Sequence, residues 1–279
     1  MNAYECFLQD CKERLIKAAP PECKFGGAYN GRGEYAHILL DPEQRYLLIA
    51  DEQFRNEDAC KPLFGGEVHF HPCSHHVNSS QVFCINVFAP LMAGKQRSQN
   101  MKSFLNGIGV ALKGDIVYFN EDDTVGTRFE YKPSGKDRTN FDFYVVTSLD
   151  EKVYFEIKYT EPEFGRPQKG SRKECEWAFY KQMCDKSRYL SGLSHESFYS
   201  NFQINRNIGH ITRDGNEFVV FVFPYSNPSL RFPFTEYAKM GRVKVCFSEQ
   251  LGKIADKAFP DNQALRLYYH KLVQRYFGF

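Results

Sequence analysis

Residues 216–225, NEFVVFVFPY, set six apolar side chains in succession from Phe218 to Phe223. A strand with one wet face alternates apolar and polar residues, whereas an unbroken run needs cover on both faces. The chain carries the helices to provide that cover. Residues 3–18 read as an amphipathic helix, and 79–91 (SSQVFCINVFAPL) as a strongly apolar one with Asn78 or Ser79 as its N-cap. Further helices are expected over 98–112, 172–190, 194–211 (capped by Ser194) and from Asn262 to Phe277. Short strands fall at 125–132, 140–147 and 152–160. Helix, helix, three strands, helix, helix, strand is the order of a mixed α/β fold, with a meander first and a crossover later. No linker divides the 279 residues. The expected organisation is one domain, with a core over about 78–225, an N-terminal elaboration over about 1–75 and a C-terminal one over 226–279.

The segment NFDFYVVTSLDEKVYFEIKYTE, residues 140–161, reads as a hairpin of two aromatic and β-branched strands. Yet Asp142 sits in the first strand, and Glu156 and Lys158 sit in the second. Side chains alternate faces along a strand, so Glu156 and Lys158 share a face. Asp142 joins them only if the connecting loop holds an odd number of residues, which the sequence SLDEK permits without forcing. Two carboxylates brought together repel, and each raises the other's pKa. A divalent cation between them reverses that cost. Mg²⁺ suits one or two carboxylates plus a substrate phosphate, and the Ile157 carbonyl is a further candidate ligand. Lys158 would then assist attack by water or stabilise charge developing on phosphorus. The spacing alone is weak, because acid-x-Lys occurs five times in the chain; only Glu156 to Lys158 lies in a strongly apolar strand that follows an acid-bearing one.

Charge and composition narrow the classes. A formal net charge of +2 rules out a global basic field, so any nucleic-acid contact must come from a local patch. Lys132, Lys136 and Arg138 on one side of the hairpin, and Arg166, Lys169, Arg172 and Lys173 on the other, are the candidates. No run of 18 apolar residues suggests a membrane span. The start MNAYECFLQDCKERLIKAA lacks the pattern of an export signal. Nine cysteines without a CxxC pair fit reduced thiols, and together these features suggest a cytoplasmic protein. EVHFHPCSHH packs His69, His71, Cys73, His75 and His76 together, which leaves a zinc-dependent module over His69–His76 as an alternative.

An Asp in one strand followed by Glu-x-Lys in the next, between helices, resembles the PD-(D/E)xK nuclease superfamily, whose core is the restriction-endonuclease-like fold. Phe141 stands where the proline of that motif's name would be. FEIKYTEPEFG (155–165), SSQVFCINVFAPL (79–91) and FQINRNIGH (202–210) are similar to runs of a restriction-endonuclease-related bacterial family within it. The resemblance spans about 79–223 and implies a central mixed sheet flanked by helices. It also implies a metal-dependent endonuclease acting on DNA, with Mg²⁺, or Mn²⁺ as substitute, at Asp142 and Glu156. Glu130 would be a further acid of the site, Lys158 would assist water attack, and Gln203 would be the helix glutamine that contacts it. Glu161 and Gln81 are expected to support the site, and Arg206 to contact phosphate or to join that support. A non-catalytic nucleic-acid-binding protein of the same fold and an RNA target remain alternatives. Cutting a duplex would favour a homodimer, since each site cuts one strand.

Overall fold

The computed structural model describes residues 1–64, 69–118, 126–133, 139–167, 174–237 and 239–279. The chain begins with α1 (Ala3–Ala18), capped by Asn2 in a capping box with Glu5. A two-stranded hairpin follows, β1 (Phe25–Tyr29) and β2 (Arg32–Leu39). Its turn is Asn30-Gly31, both at positive φ (50° and 71°), the pair a tight two-residue hairpin requires. After the short α2 (Glu57–Cys60) come α3 (Ser80–Phe88) and α4 (Arg97–Gly107). Ser79 caps α3 by accepting from the Val82 amide, while the other candidate cap, Asn78, donates to Thr160 Oγ1 instead at 2.6 Å.

The main sheet has the order β3-β5-β6-β7-β8, with β4 also paired to β5. Its strands are β3 (Ile116–Val117), β4 (Arg128–Tyr131), β5 (Phe141–Thr147), β6 (Lys152–Ile157), β7 (Glu217–Phe223) and β8 (Val243–Phe247). β3 and β4 both pair antiparallel with β5, one after the other along it, so only β4 to β6 run as the expected antiparallel meander, and β7 and β8 continue from β6 in parallel. The expected mixed α/β architecture is therefore present, with an additional edge strand from residues 243–247.

Helices cover both faces, as the apolar run over 218–223 requires. Val220 and Val222 pack with α1, α3, α4 and the two C-terminal helices, α9 (Leu251–Ala258) and α10 (Gln263–Phe277). Val219, Phe221 and Phe223 face the other way, against α5 (Glu174–Lys186), α6 (His195–Ser200), α7 (Phe202–Ile208) and α8 (Phe234–Tyr237). No helix among the described residues is long and apolar enough to cross a membrane.

One expected helix is two. The stretch 194–211 breaks at Asn201, whose φ of −126° and ψ of 51° are not helical. Asn205 stabilises the break by donating to the carbonyls of Ser197 and Phe198 at the end of α6. The break frees α7 to take its own direction toward the sheet.

Candidate active site

The β5–β6 hairpin pairs Phe143 with Phe155 and Val145 with Val153, so opposed residue numbers sum to an even number. That register requires the odd loop. Asp150 provides it by adopting a left-handed φ of 56°, a conformation Asp tolerates better than most residues. The same registers align Glu130, Asp142 and Glu156 at one level across β4, β5 and β6.

Glu156 is 3% exposed and its carboxylate is held by three donors. Gln203 Nε2 reaches Oε1 and Asn207 Nδ2 reaches Oε2, each at 2.7 Å. Lys158 Nζ lies 2.9 Å from Oε1. Asp142 is half-buried on the neighbouring strand, and its Oδ2 accepts from the Ile157 amide at 2.6 Å. Asp142, Glu156 and Lys158 are thus brought together. The Ile157 residue enters through its N–H, which orients Asp142.

Glu130 takes a different path. Its φ of 53° breaks the alternation of β4. Gln81 Nε2, from α3, donates to Glu130 Oε1 at 2.8 Å, and Asn140 Nδ2 donates to Oε2. Gln81 is itself fixed by the His71 amide and the His69 carbonyl. Among the described residues no three His, Cys, Asp or Glu side chains converge as metal ligands. Glu130 lies level with the Asp142–Glu156 pair, with its two carboxylate oxygens held by Gln81 and Asn140. The same finding covers the described histidines at 69–76: His69 and His71 lie in irregular chain, His75 in a turn, and His76 in a single bridge to Ile38. His71 Nδ1 accepts from the Cys73 amide, and the His75 and His76 rings meet edge to face.

The electrostatics follow from burial and crowding. Burial, then the Glu156 charge, push the Asp142 carboxyl well above the usual carboxylate range, against the pull of Lys158. Burial also raises Glu130, although Gln81 and Asn140 oppose it. For Lys158, burial works against the charged amine, but Glu156, Glu161 and Asp142 together outweigh it and raise its pKa. Glu161 also accepts from the Tyr159 amide, which fixes the chain just past Lys158.

Of the basic candidates, Lys136, Arg138, Lys169, Arg172 and Lys173 lie outside the described residues. Arg166 is exposed and paired with Glu163 at 2.5 Å. The Arg206 guanidinium lies over the Phe202 ring.

Two residues of the site carry no assigned role in the sequence reading. Asn140 is two positions from Asp142, a spacing that shares a strand face. Asn207 is four positions from Gln203, a spacing that shares a helix face, and both residues of that face hold Glu156. Gln203 is anchored in turn by the Gly165 amide. Asn207 is fully buried, so Asn207→Leu is expected to destabilise the protein by about 1–3 kcal/mol, the cost of a buried acceptor losing its donor. A shift of the urea midpoint to lower concentration at unchanged slope is the readout. An unshifted midpoint would mean that this contact does not hold Glu156.

Neither a curated protein nor a solved structure matches the chain. A family profile does, and it spans both faces of the sheet, from residue 22 to residue 277. With a mixed sheet flanked by helices and the Asp142, Glu156 and Lys158 side chains gathered on it, the chain belongs to the family described as Restriction Endonuclease associating with ARP.

Proposed function

We propose that the chain is an endonuclease that hydrolyses phosphodiester bonds in DNA, using Mg²⁺, or Mn²⁺ in its place, held by Asp142 and Glu156. The observation that carries this reading is the buried Glu156–Lys158 pair set beside a second carboxylate whose proton affinity is raised by that neighbour. Such a donor set fits a hard divalent cation: oxygen ligands and excess negative charge, with Asp142 only half-buried. When bound, the cation would polarise the scissile phosphate and lower the pKa of water. The chain's own residues do the rest. Gln203 and Asn207 orient Glu156. The Ile157 amide orients Asp142. Lys158 stays protonated and offers its charge to the attacking water or to the phosphoryl oxygens.

The family description supports a nuclease, and DNA is the substrate we infer from it. Cutting both strands calls for two sites, so a homodimer in the cytoplasm is part of the proposal. Supercoiled plasmid incubated with Mg²⁺, Mn²⁺, Ca²⁺ or EDTA, beside structured RNA, tests it. Cleavage of plasmid in Mg²⁺ and Mn²⁺ and none in EDTA is expected. Cleavage that persists in EDTA would overturn the metal reading, and cleavage of RNA alone the substrate. Binding without cleavage in any ion would leave a non-catalytic nucleic-acid-binding protein.

A further inference from the structure

Beside the acid cluster lies a cleft of about 560 Å³, a volume in the range that holds small organic ligands. Its walls come from distant parts of the chain: α1, the β1–β2 hairpin, the turn at 71–76, the start of α3 and residues 160–162. Hydrogen bonds tie these walls together. Tyr4 Oη donates to the Thr160 carbonyl at 2.8 Å, and Asn78 Nδ2 donates to Thr160 Oγ1. Gln81 and Glu161 connect the cleft to the site: both belong to its lining, Gln81 donates to Glu130, and the Glu161 charge acts on Lys158.

Its outer wall is aromatic. Tyr35, His37, His76 and Tyr29 form a chain of ring contacts with centroids 5.9, 5.5 and 5.7 Å apart. Tyr29 and Tyr35 are 47% and 41% exposed, so large ring surface is left open on the hairpin. The inner wall is polar. His76 Nε2 and Asn78 Oδ1 are buried atoms without a hydrogen-bond partner. Lys12 lies on the same face of α1 as Tyr4 and Leu8 and contributes a cation to the lining.

We propose that this cleft takes an unpaired nucleobase of the strand to be cut, stacked on Tyr29 and Tyr35, with His76 and Asn78 at its polar edge and Lys12 at its phosphate. The inference rests on the nuclease reading and deepens it: the preferred substrate carries a single-stranded or extruded nucleotide beside the scissile bond. Open aromatic faces bind bases of any sequence, and buried polar atoms without partners suit a base edge. A stacked base pair in a blunt duplex cannot enter such a cleft without extruding one base. Burial holds both His37 and His76 down to about 4, so their rings are neutral at pH 7 and each keeps one ring nitrogen as a hydrogen-bond acceptor.

The test is binding in EDTA, where no cleavage is needed. A DNA oligonucleotide with 2-aminopurine at one single-stranded position reports stacking through loss of its fluorescence, and a blunt duplex of the same length is the comparison. Saturable quenching is expected for the single-stranded probe. Tyr29→Ala with Tyr35→Ala should weaken that binding roughly 10- to 100-fold, as loss of stacking does. Tyr→Phe at both positions should preserve it, and duplex binding should change by less than about twofold in either variant, since no stacking is lost there. Both tyrosines are exposed, and circular dichroism verifies the fold. Absent quenching, quenching indifferent to the alanine variants, or an equal loss for the duplex would each overturn the proposal. A protein that quenches in EDTA but cuts nothing in Mg²⁺ would retain this subsite and lose the nuclease reading.

Discussion

Lys158→Ala is expected to lower plasmid cleavage in Mg²⁺ by about 10³-fold, the loss typical of removing one preorganised charge from a reacting centre. The fold should survive the change. Lys158 is 13% exposed, and its carboxylate partner keeps two other donors, Gln203 and Asn207. What disappears is a cation fixed 2.9 Å from Glu156 and held charged by three surrounding acids. Because those acids raise its pKa, Lys158 cannot serve as a general base near neutral pH; its contribution is electrostatic. Two further readouts follow. The pH–rate profile of the wild type should show no limb from loss of the lysine proton between about pH 6 and 9, since an unperturbed lysine already titrates above that window. Lys158→Arg should recover only part of the rate, because a planar guanidinium cannot reproduce a point charge at that distance. An alanine variant as active as the wild type, with an unchanged circular dichroism spectrum, would remove Lys158 from the chemistry.

The parts of this site that were legible in the sequence are those set by local spacing. Glu156 and Lys158 share a face because strand side chains alternate, and the apolar run at 218–223 foretells helices on both faces. The relation of Asp142 to them was only conditional, because it depends on loop length. The deciding event is a single left-handed residue, Asp150, with Thr147 and Glu151 closing the turn by a backbone hydrogen bond. The direction of α7 was hidden for a similar reason. A continuous helical pattern runs through Asn201, and only the capping by Asn205 reveals why the chain bends there. Glu130 could not be placed from alternation, since a positive φ inside a strand overrides it. The Asn30-Gly31 hairpin carried a readable signal, but the cleft it helps to form joins segments as distant in the chain as Tyr4 and Pro162, and no local pattern encodes that.

Asp142→Asn is expected to give a protein that is more stable than the wild type in EDTA and inactive in Mg²⁺. In the metal-free state the Asp142 carboxyl is buried against Glu156, with Glu130 nearby, and its folded pKa lies above the unfolded one. The folded state therefore holds the proton more tightly. Stability from this group is present below the ordinary carboxylate range and falls as pH rises from there through the raised folded value. At neutral pH the ionised form is a net burden on the fold, because among the described residues Lys158 is the cation that faces more than one carboxylate. Asparagine retains an oxygen to accept from the Ile157 amide, so the hairpin contact survives while the charge goes. The melting temperature in EDTA at pH 7 should rise by about 2–4 °C, the shift that ~1 kcal/mol makes in a large domain. Its decline with increasing pH should also flatten. Mg²⁺ should act in the opposite sense on the two proteins. It should raise the wild-type melting temperature, more strongly at higher pH where Asp142 must be ionised to bind it, and leave the variant nearly unmoved. A lower melting temperature for the variant in EDTA, or equal Mg²⁺ shifts in both proteins, would show that Asp142 is a structural carboxylate rather than one held in readiness for a cation. Stability and activity would then be separable at this position, whereas a site that trades one for the other gains the first by losing the second.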